Sequence, residues 1–364
     1  MIIDMHAHVF PHLGGACGYK SVSEHLAYQR ATLYKPQHPR VDSGVSPELK
    51  DINFRVGKFG RFEWTEDGVD YYRQFNPPSL EDQTASPEFM LAQMDHAGVD
   101  RAVLQNSPFY GELNNYFAEC VKKYPDKFIG LVKINELKAY KKSEILKLRH
   151  AVNELKLEGI YFTARAFFSP GISGKYIDKK FDLFWQEVSN LGISVHWGLV
   201  TSKESAEEFL EEVRVLDVWG EKFPDIPSVI THGFFPIKPF MRNDEIVIPK
   251  EFLKLFKHRN ISAEILYSVI AGPLGWDYPY PQAQKIIKNL YEEIGAEQLV
   301  WGTDMPVLEC NCTYRQSLTY LRDYCDFISP KDMDLILGGN AIRMLKIEMG
   351  GPKTIRPIYA GGIY

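Results

Sequence analysis

The sequence predicts an α/β protein folded as a (β/α)8 TIM barrel, with a long insertion after its first strand and a C-terminal helical extension. Three observations predict it. From residue 90 onward, short apolar runs alternate with amphipathic stretches. With the N-terminal run included, the apolar runs number eight. Histidine or aspartate ends several of them. Repeated strand–helix alternation implies a parallel sheet with helices outside, and eight units close it into a barrel. An open doubly wound sheet is the alternative, but no G-x-G-x-x-G follows the first strand.

The first strand is Ile2–His6, inside MIIDMHAHVF. Residues 10–88 follow, dense in aromatics and prolines and too long for a structureless loop. They read as an insertion that covers the rim, either as a lid shaping a pocket or as a subunit contact. Beyond it the strands are Ala102–Gln105, Phe128–Ile134, Gly159–Phe162, Ile193–His196, Ser228–His232, Ile261–Ile265 and Leu299–Gly302. Helical patterns cover Pro87–Ala97, Leu113–Tyr124, Ser143–Leu155, Lys180–Leu191, Lys203–Lys222, Pro249–Lys257 and Pro281–Ile294. Gly98, Gly192 and Gly295 stand where a left-handed helix end is wanted. Residues 1–349 thus form one barrel unit, and 350–364 read as an extended arm.

Bulk composition narrows the function classes. A net charge of -5 over 364 residues, with no dense basic block, argues against nucleic-acid binding. No apolar run is long enough for a membrane span, and the N-terminus has no secretory pattern. Five scattered cysteines without a CxxC fit a reduced, cytoplasmic chain. Cys310 and Cys312 follow the Asp304 turn and carry little signal of their own. The expected partner is a small-molecule substrate, and a homodimer is the usual assembly for such barrels.

Asp4, His6 and His8 occupy alternate positions at the end of the first strand. Alternate side chains of a strand share a face, so two imidazoles and a carboxylate would come within reach of one cation. An exposed strand that happens to carry histidines is the plain alternative. His196 in SVHWG, His232 in ITHGF and Asp304 in WGTDMP each end a later strand. Sites of such barrels lie at the C-terminal ends of the strands, so these residues fall on one face. Glu264 in ISAEIL lies on the seventh strand, where a buried carboxylate needs a partner. It would orient a ligand histidine or pair with an arginine. Arg165 in FTARAFF is the candidate carboxylate clamp, with a surface ion pair as its alternative.

The same residues resemble the amidohydrolase superfamily, in the amidohydrolase-related branch named after aminocarboxymuconate semialdehyde decarboxylase (amidohydrolase family 2). MDHAGVDRAVL before the second strand, KYPDKFIGLVKIN at the third, LVWGTDMP at the eighth and ILGGNAIRML near the end carry the likeness. The resemblance implies that His6, His8, His196 and Asp304 hold one divalent ion, most often Zn²⁺, with Mn²⁺ sharing such ligands. It places His232 beside the ion as an acid/base or oxyanion-stabilising group. Asp4 is by resemblance a ligand or a support for one. Members with two metals carry a lysine on the fourth strand, where this chain has Tyr161 in GIYFTAR, so a single metal is expected.

Such a site supports two reactions. Asp304 can take a proton from a metal-activated water that attacks a carbonyl, giving hydrolysis of a small cyclic or carbonyl substrate. Alternatively it protonates a ring carbon as CO₂ leaves, giving non-oxidative decarboxylation of a small aromatic or unsaturated carboxylic acid. Decarboxylases of this branch tend to carry a glutamate after the strand-six histidine and a D-Y-P-like turn. HGFFP and TDMP depart from both, although HGFFPIKP is similar to the HGGG-type turn of the name-giving decarboxylase. Hydrolysis is therefore the first expectation and decarboxylation the alternative. A binding protein that kept the metal set, or a structural metal site, stands outside enzymology; structural zinc sites are usually closed and cysteine-rich.

Overall fold

The computed structural model describes residues 1–34, 52–199, 206–232, 240–242, 245–265 and 277–348. Eight parallel strands follow one another around the barrel in sequence order: Ile3–Ala7, Arg101–Leu104, Phe128–Val132, Gly159–Phe162, Ser194–Trp197, Ser228–Ile230, Ile261–Glu264 and Leu299–Val300. The seam between the eighth strand and the first is drawn together past the end of the short eighth strand. Met5 N–H donates to the Trp301 carbonyl at 3.0 Å, His8 N–H to that of Met305 at 2.7 Å, and Asp304 N–H to that of His6 at 2.7 Å. This is a (β/α)8 barrel.

The interior is filled rather than open. Ile3, Met5, Val103, Ile129, Leu131, Tyr161, Val229 and Val300 form one buried cluster, joined by Ala341, Met344 and Leu345 of the helix Asn340–Leu345. That helix stops the end opposite the predicted site. Asn340 Nδ2 donates to the carbonyls of Ala296 and Leu299, and a side chain at Gly338 would collide with the Met1 carbonyl. A larger apolar layer packs between the sheet and the surrounding helices.

Helices Pro87–Ala97 and Pro281–Ile294 have the predicted bounds. Pro249–Lys257 divides into an α-helix at Lys250–Lys254 and a 3₁₀ turn at Leu255–Lys257. Gly98 and Gly192 end their helices in the left-handed helical conformation, whereas Gly295, at φ 83° and ψ 158°, keeps a positive φ but leaves that conformation. The insertion carries a helix, Val22–Leu33, and an antiparallel sheet of Arg55–Val56, Arg61–Glu66 and Val69–Gln74. Tyr19 O–H donates to the Pro108 carbonyl and Gly18 bridges to Gly111, which ties the insertion to the loop after the second barrel strand. The arm predicted at 350–364 lies outside the described residues. Among those residues no helix is long and apolar enough to cross a membrane, and all five cysteines are free.

Candidate metal centre

The ends of the first, seventh and eighth strands build the centre. His6 Nδ1–H donates to Glu264 Oε2 at 3.0 Å, and His8 Nδ1–H donates to the Gln105 carbonyl at 2.8 Å. Both acceptors can only accept, so each ring turns its Nε2 to the barrel mouth, where it offers a lone pair once that nitrogen is deprotonated. The two Nε2 atoms lie 3.1 Å apart. Asp304 Oδ1 completes a triangle, 3.0 Å from His8 Nε2 and 3.5 Å from His6 Nε2. Ligand atoms in a coordination sphere of about 2.1 Å radius lie roughly 3–3.4 Å from one another. His6, His8 and Asp304 therefore fit a divalent ion.

The charges give the same result. Burial works to lower the His6 pKa, yet Glu264 and Asp304 outweigh it and hold the ring at about 9. In the metal-free chain a proton thus occupies the place where the donors ask for a cation. Burial would raise Asp304, but His6, His8 and His232 bring it down to about 2, keeping the carboxylate ionised as a ligand must be. Asp304 itself sits at φ 59°, a left-handed conformation that aspartate tolerates better than most residues.

Asp4 does not join this group. The pairing register of the first strand shifts between Asp4 and Ala7, so simple alternation no longer applies. The Asp4 carboxylate instead accepts from Thr303 O–H at 2.6 Å, Tyr314 O–H at 2.8 Å and His6 N–H at 3.0 Å. Burial raises its pKa to about 7 against those three donors. It fastens strand ends together underneath the centre.

His232, at φ 63°, stands beside the triangle with its ring 4.9 Å from that of His6. Its backbone N–H donates to Glu264 Oε2 at 2.6 Å. Burial and the neighbouring His6 charge lower its pKa to about 4, so the ring is neutral. His196 is fully buried and outside the triangle: its Nε2 lies 3.1 Å from Ser194 Oγ, and its Nδ1 has no hydrogen-bond partner among the described residues. Burial pushes it to about 3, which leaves a neutral ring with one unsatisfied nitrogen.

Arg165 lies in the 3₁₀ segment Ala164–Phe168 after the fourth strand. With Lys133, Glu136, Thr163 and Tyr28 it lines a cavity of about 630 Å³. Lys133 is already committed, to Glu136 and to Thr163 Oγ1 at 2.8 Å. Gln105, Lys133 and Thr303, which the sequence does not single out, are also buried at strand ends, as is Tyr161, known from the sequence only for standing where a second metal's lysine would. The strand-end rule that singles out histidine and aspartate reaches them too, if applied to every polar residue there.

A sequence profile described as amidohydrolase matches residues 3–347. No curated protein sequence matches the chain. Among solved structures, a probable 2-pyrone-4,6-dicarboxylic acid hydrolase from Acinetobacter baumannii, with citric acid bound, superposes with a TM-score of 0.58 at 16% identity. That match covers 95% of this chain and 99% of the other. A 2,6-dihydroxybenzoate decarboxylase from Rhizobium gives 0.53 at 18% identity, covering 72% and 89%. A dihydroxybenzoic acid decarboxylase from Polaromonas, with bound manganese and 2-nitroresorcinol, gives 0.50 at 15%, covering 71% and 85%. At these identities the likeness is one of fold.

Proposed function

Because the chain belongs to the amidohydrolase family, we propose that it is a metal-dependent hydrolase of a small cyclic or carbonyl substrate. The carrying observation is the triangle of His6, His8 and Asp304, with both imidazole Nε2 atoms turned inward and the carboxylate ionised. His196, with its unsatisfied Nδ1, is the candidate fourth ligand. The ion is Zn²⁺ or Mn²⁺; manganese is included because a decarboxylase of this fold binds it. Bound there, the ion supplies Lewis acidity and a water acidic enough to act near neutral pH.

The chain's own groups do the rest. Asp304 takes one proton from the water as its oxygen adds to the carbonyl carbon. It returns that proton to the leaving oxygen or nitrogen as the old bond breaks. His232, neutral and next to His6, hydrogen-bonds the carbonyl oxygen as charge grows on it. Arg165 offers its guanidinium fork to a substrate carboxylate from the wall of the adjoining cavity.

The test loads the wild-type protein with Zn²⁺ or Mn²⁺ and offers lactones, cyclic amides and hydroxybenzoates. Acid release with ring opening, lost in Asp304→Asn, supports hydrolysis. His232→Ala should lose turnover while retaining its metal. CO₂ release from a hydroxybenzoate would make the chain a carboxy-lyase working with the same residues. Wild-type protein that takes up no divalent ion overturns both.

A further inference from the structure

Tyr161 shares the barrel mouth with the metal centre, and the role inferred for it rests on the hydrolase reading. It lies on the fourth barrel strand, paired in register with His196, and belongs to the interior cluster with Met5 and Leu131. Only 6% of it is exposed. Its hydroxyl lies within the fields of the Arg165 guanidinium and of the Asp304, Glu136 and Glu264 carboxylates. Lys133 Nζ stands 5.5 Å from its ring centroid. Lys133 and Arg165 both line the cavity of about 630 Å³ and follow the third and fourth strands, at the same end of the barrel as Asp304.

Two further observations bear on the hydroxyl. No group among the described residues hydrogen-bonds it. Room for it is made by Gly198, where a Cβ would fall 2.6 Å from the Tyr161 hydroxyl oxygen and 3.0 Å from Cζ. The backbone at Gly198 is fixed by its N–H to the Phe162 carbonyl, so a side chain there would displace the phenol rather than the strand. A hydroxyl on a largely buried ring, with no partner among the described residues and beside the candidate ligand His196 in register, is a donor awaiting an acceptor.

We propose that Tyr161 contacts the substrate, donating its hydroxyl hydrogen bond to an oxygen of a small carboxylate or carbonyl compound held between Asp304 and Arg165. The phenol keeps its proton throughout. Burial, reinforced by Asp304, Glu136 and Glu264 against the opposing Arg165, pushes it well above its ordinary value. Lys133 does not compete for the ligand, because Glu136 and Thr163 hold its ammonium; it contributes a fixed positive charge beneath the same space.

Four proteins test this: wild type, Tyr161→Phe, Gly198→Ala and the double variant, each loaded with Mn²⁺. Metal content is measured first, and citrate, a hydroxy-tricarboxylate, is then titrated calorimetrically. All four should hold about one ion per chain. Loss of one hydrogen bond to a charged acceptor should weaken citrate about tenfold to a hundredfold in Tyr161→Phe. Gly198→Ala should weaken it comparably, and the double variant should be no worse than the poorer single one, because both act through one hydroxyl. Unchanged citrate affinity in Tyr161→Phe, losses that simply add, or a metal-loaded wild type that ignores citrate would each overturn the role of Tyr161 alone. A wild type that holds no metal would overturn the hydrolase reading and this role with it.

Discussion

Glu264 receives the Nδ1–H of His6 and the backbone N–H of His232 on a single carboxylate oxygen. One buried anion thereby sets the tautomer of a candidate ligand and the position of the neighbouring histidine. Glu264→Gln keeps the shape but replaces the charge, and metal affinity should fall about 10–100-fold, measured against a competing chelator. The proton on His6 gives a second expectation. With a pKa of about 9, His6 must release a proton before it can ligate. Apparent metal affinity should therefore rise about tenfold per pH unit between 7 and 9 and flatten above, with proton release seen by calorimetry in buffers of different ionisation heat. At this scale the sequence was readable where chemistry and position coincided. His6, His8, Asp304 and Glu264 announce themselves as ligand types at strand ends. Tyr161 shows there only as the residue standing in place of a lysine, because its contact with Gly198, just past the end of the next strand, is one that no spacing along its own strand reveals.

Elements were legible in proportion to how apolar their buried face is. The helix Pro281–Ile294 buries Ala283, Ile286, Ile287 and Leu290, a clear stripe, and its bounds could be read directly. Val22–Leu33 turns His25, Gln29 and Leu33 inward, so its buried stripe is mostly polar and gives no periodic signal. His25 reaches the carbonyls of Gly15 and Phe109, a reason for burial that only the folded chain supplies. The hairpin Arg61–Glu66 and Val69–Gln74 did carry a signal: Asp67-Gly68, both at positive φ, makes the tight turn between strands. Strand ends read too long for a consistent reason. Thr231 and His232 follow the sixth strand, and Trp301 and Gly302 the eighth, after the ladder has ended. Thr303 shows what fixes such an end: its hydroxyl donates to Asp4 and accepts from Met305 N–H. Thr303→Val should cost about 1–3 kcal/mol in urea unfolding, since it leaves buried polar groups without partners.

Over the whole molecule, the buried charges at the barrel mouth make stability depend on pH, and metal should change the sign of that dependence. Asp4 is raised from 3.8 to about 7 and His6 from 6.5 to about 9 in the metal-free fold. Each then binds its proton more tightly folded than unfolded, so its contribution is complete below the unfolded value and fades as pH climbs through the folded one. Asp304, depressed from 3.8 to about 2, acts oppositely, and its contribution is lost only as pH falls below 4. His196 and His232, depressed from 6.5 to about 3 and about 4, also act oppositely and outweigh Asp4 below pH 6.5, so the metal-free protein should lose thermal stability from about pH 6.5 to 9. A divalent ion replaces the His6 proton with a charge that pH does not remove, and it binds more tightly as that proton becomes easier to displace. Stabilisation by a ligand grows with its concentration relative to Kd, reaching about 2.7 kcal/mol at a hundredfold excess. The gap between metal-loaded and metal-free Tm at fixed metal concentration should accordingly widen from pH 6.5 to 9. A gap that stays constant would mean that the ion binds without displacing the proton held between Glu264 and Asp304, and would place it away from His6.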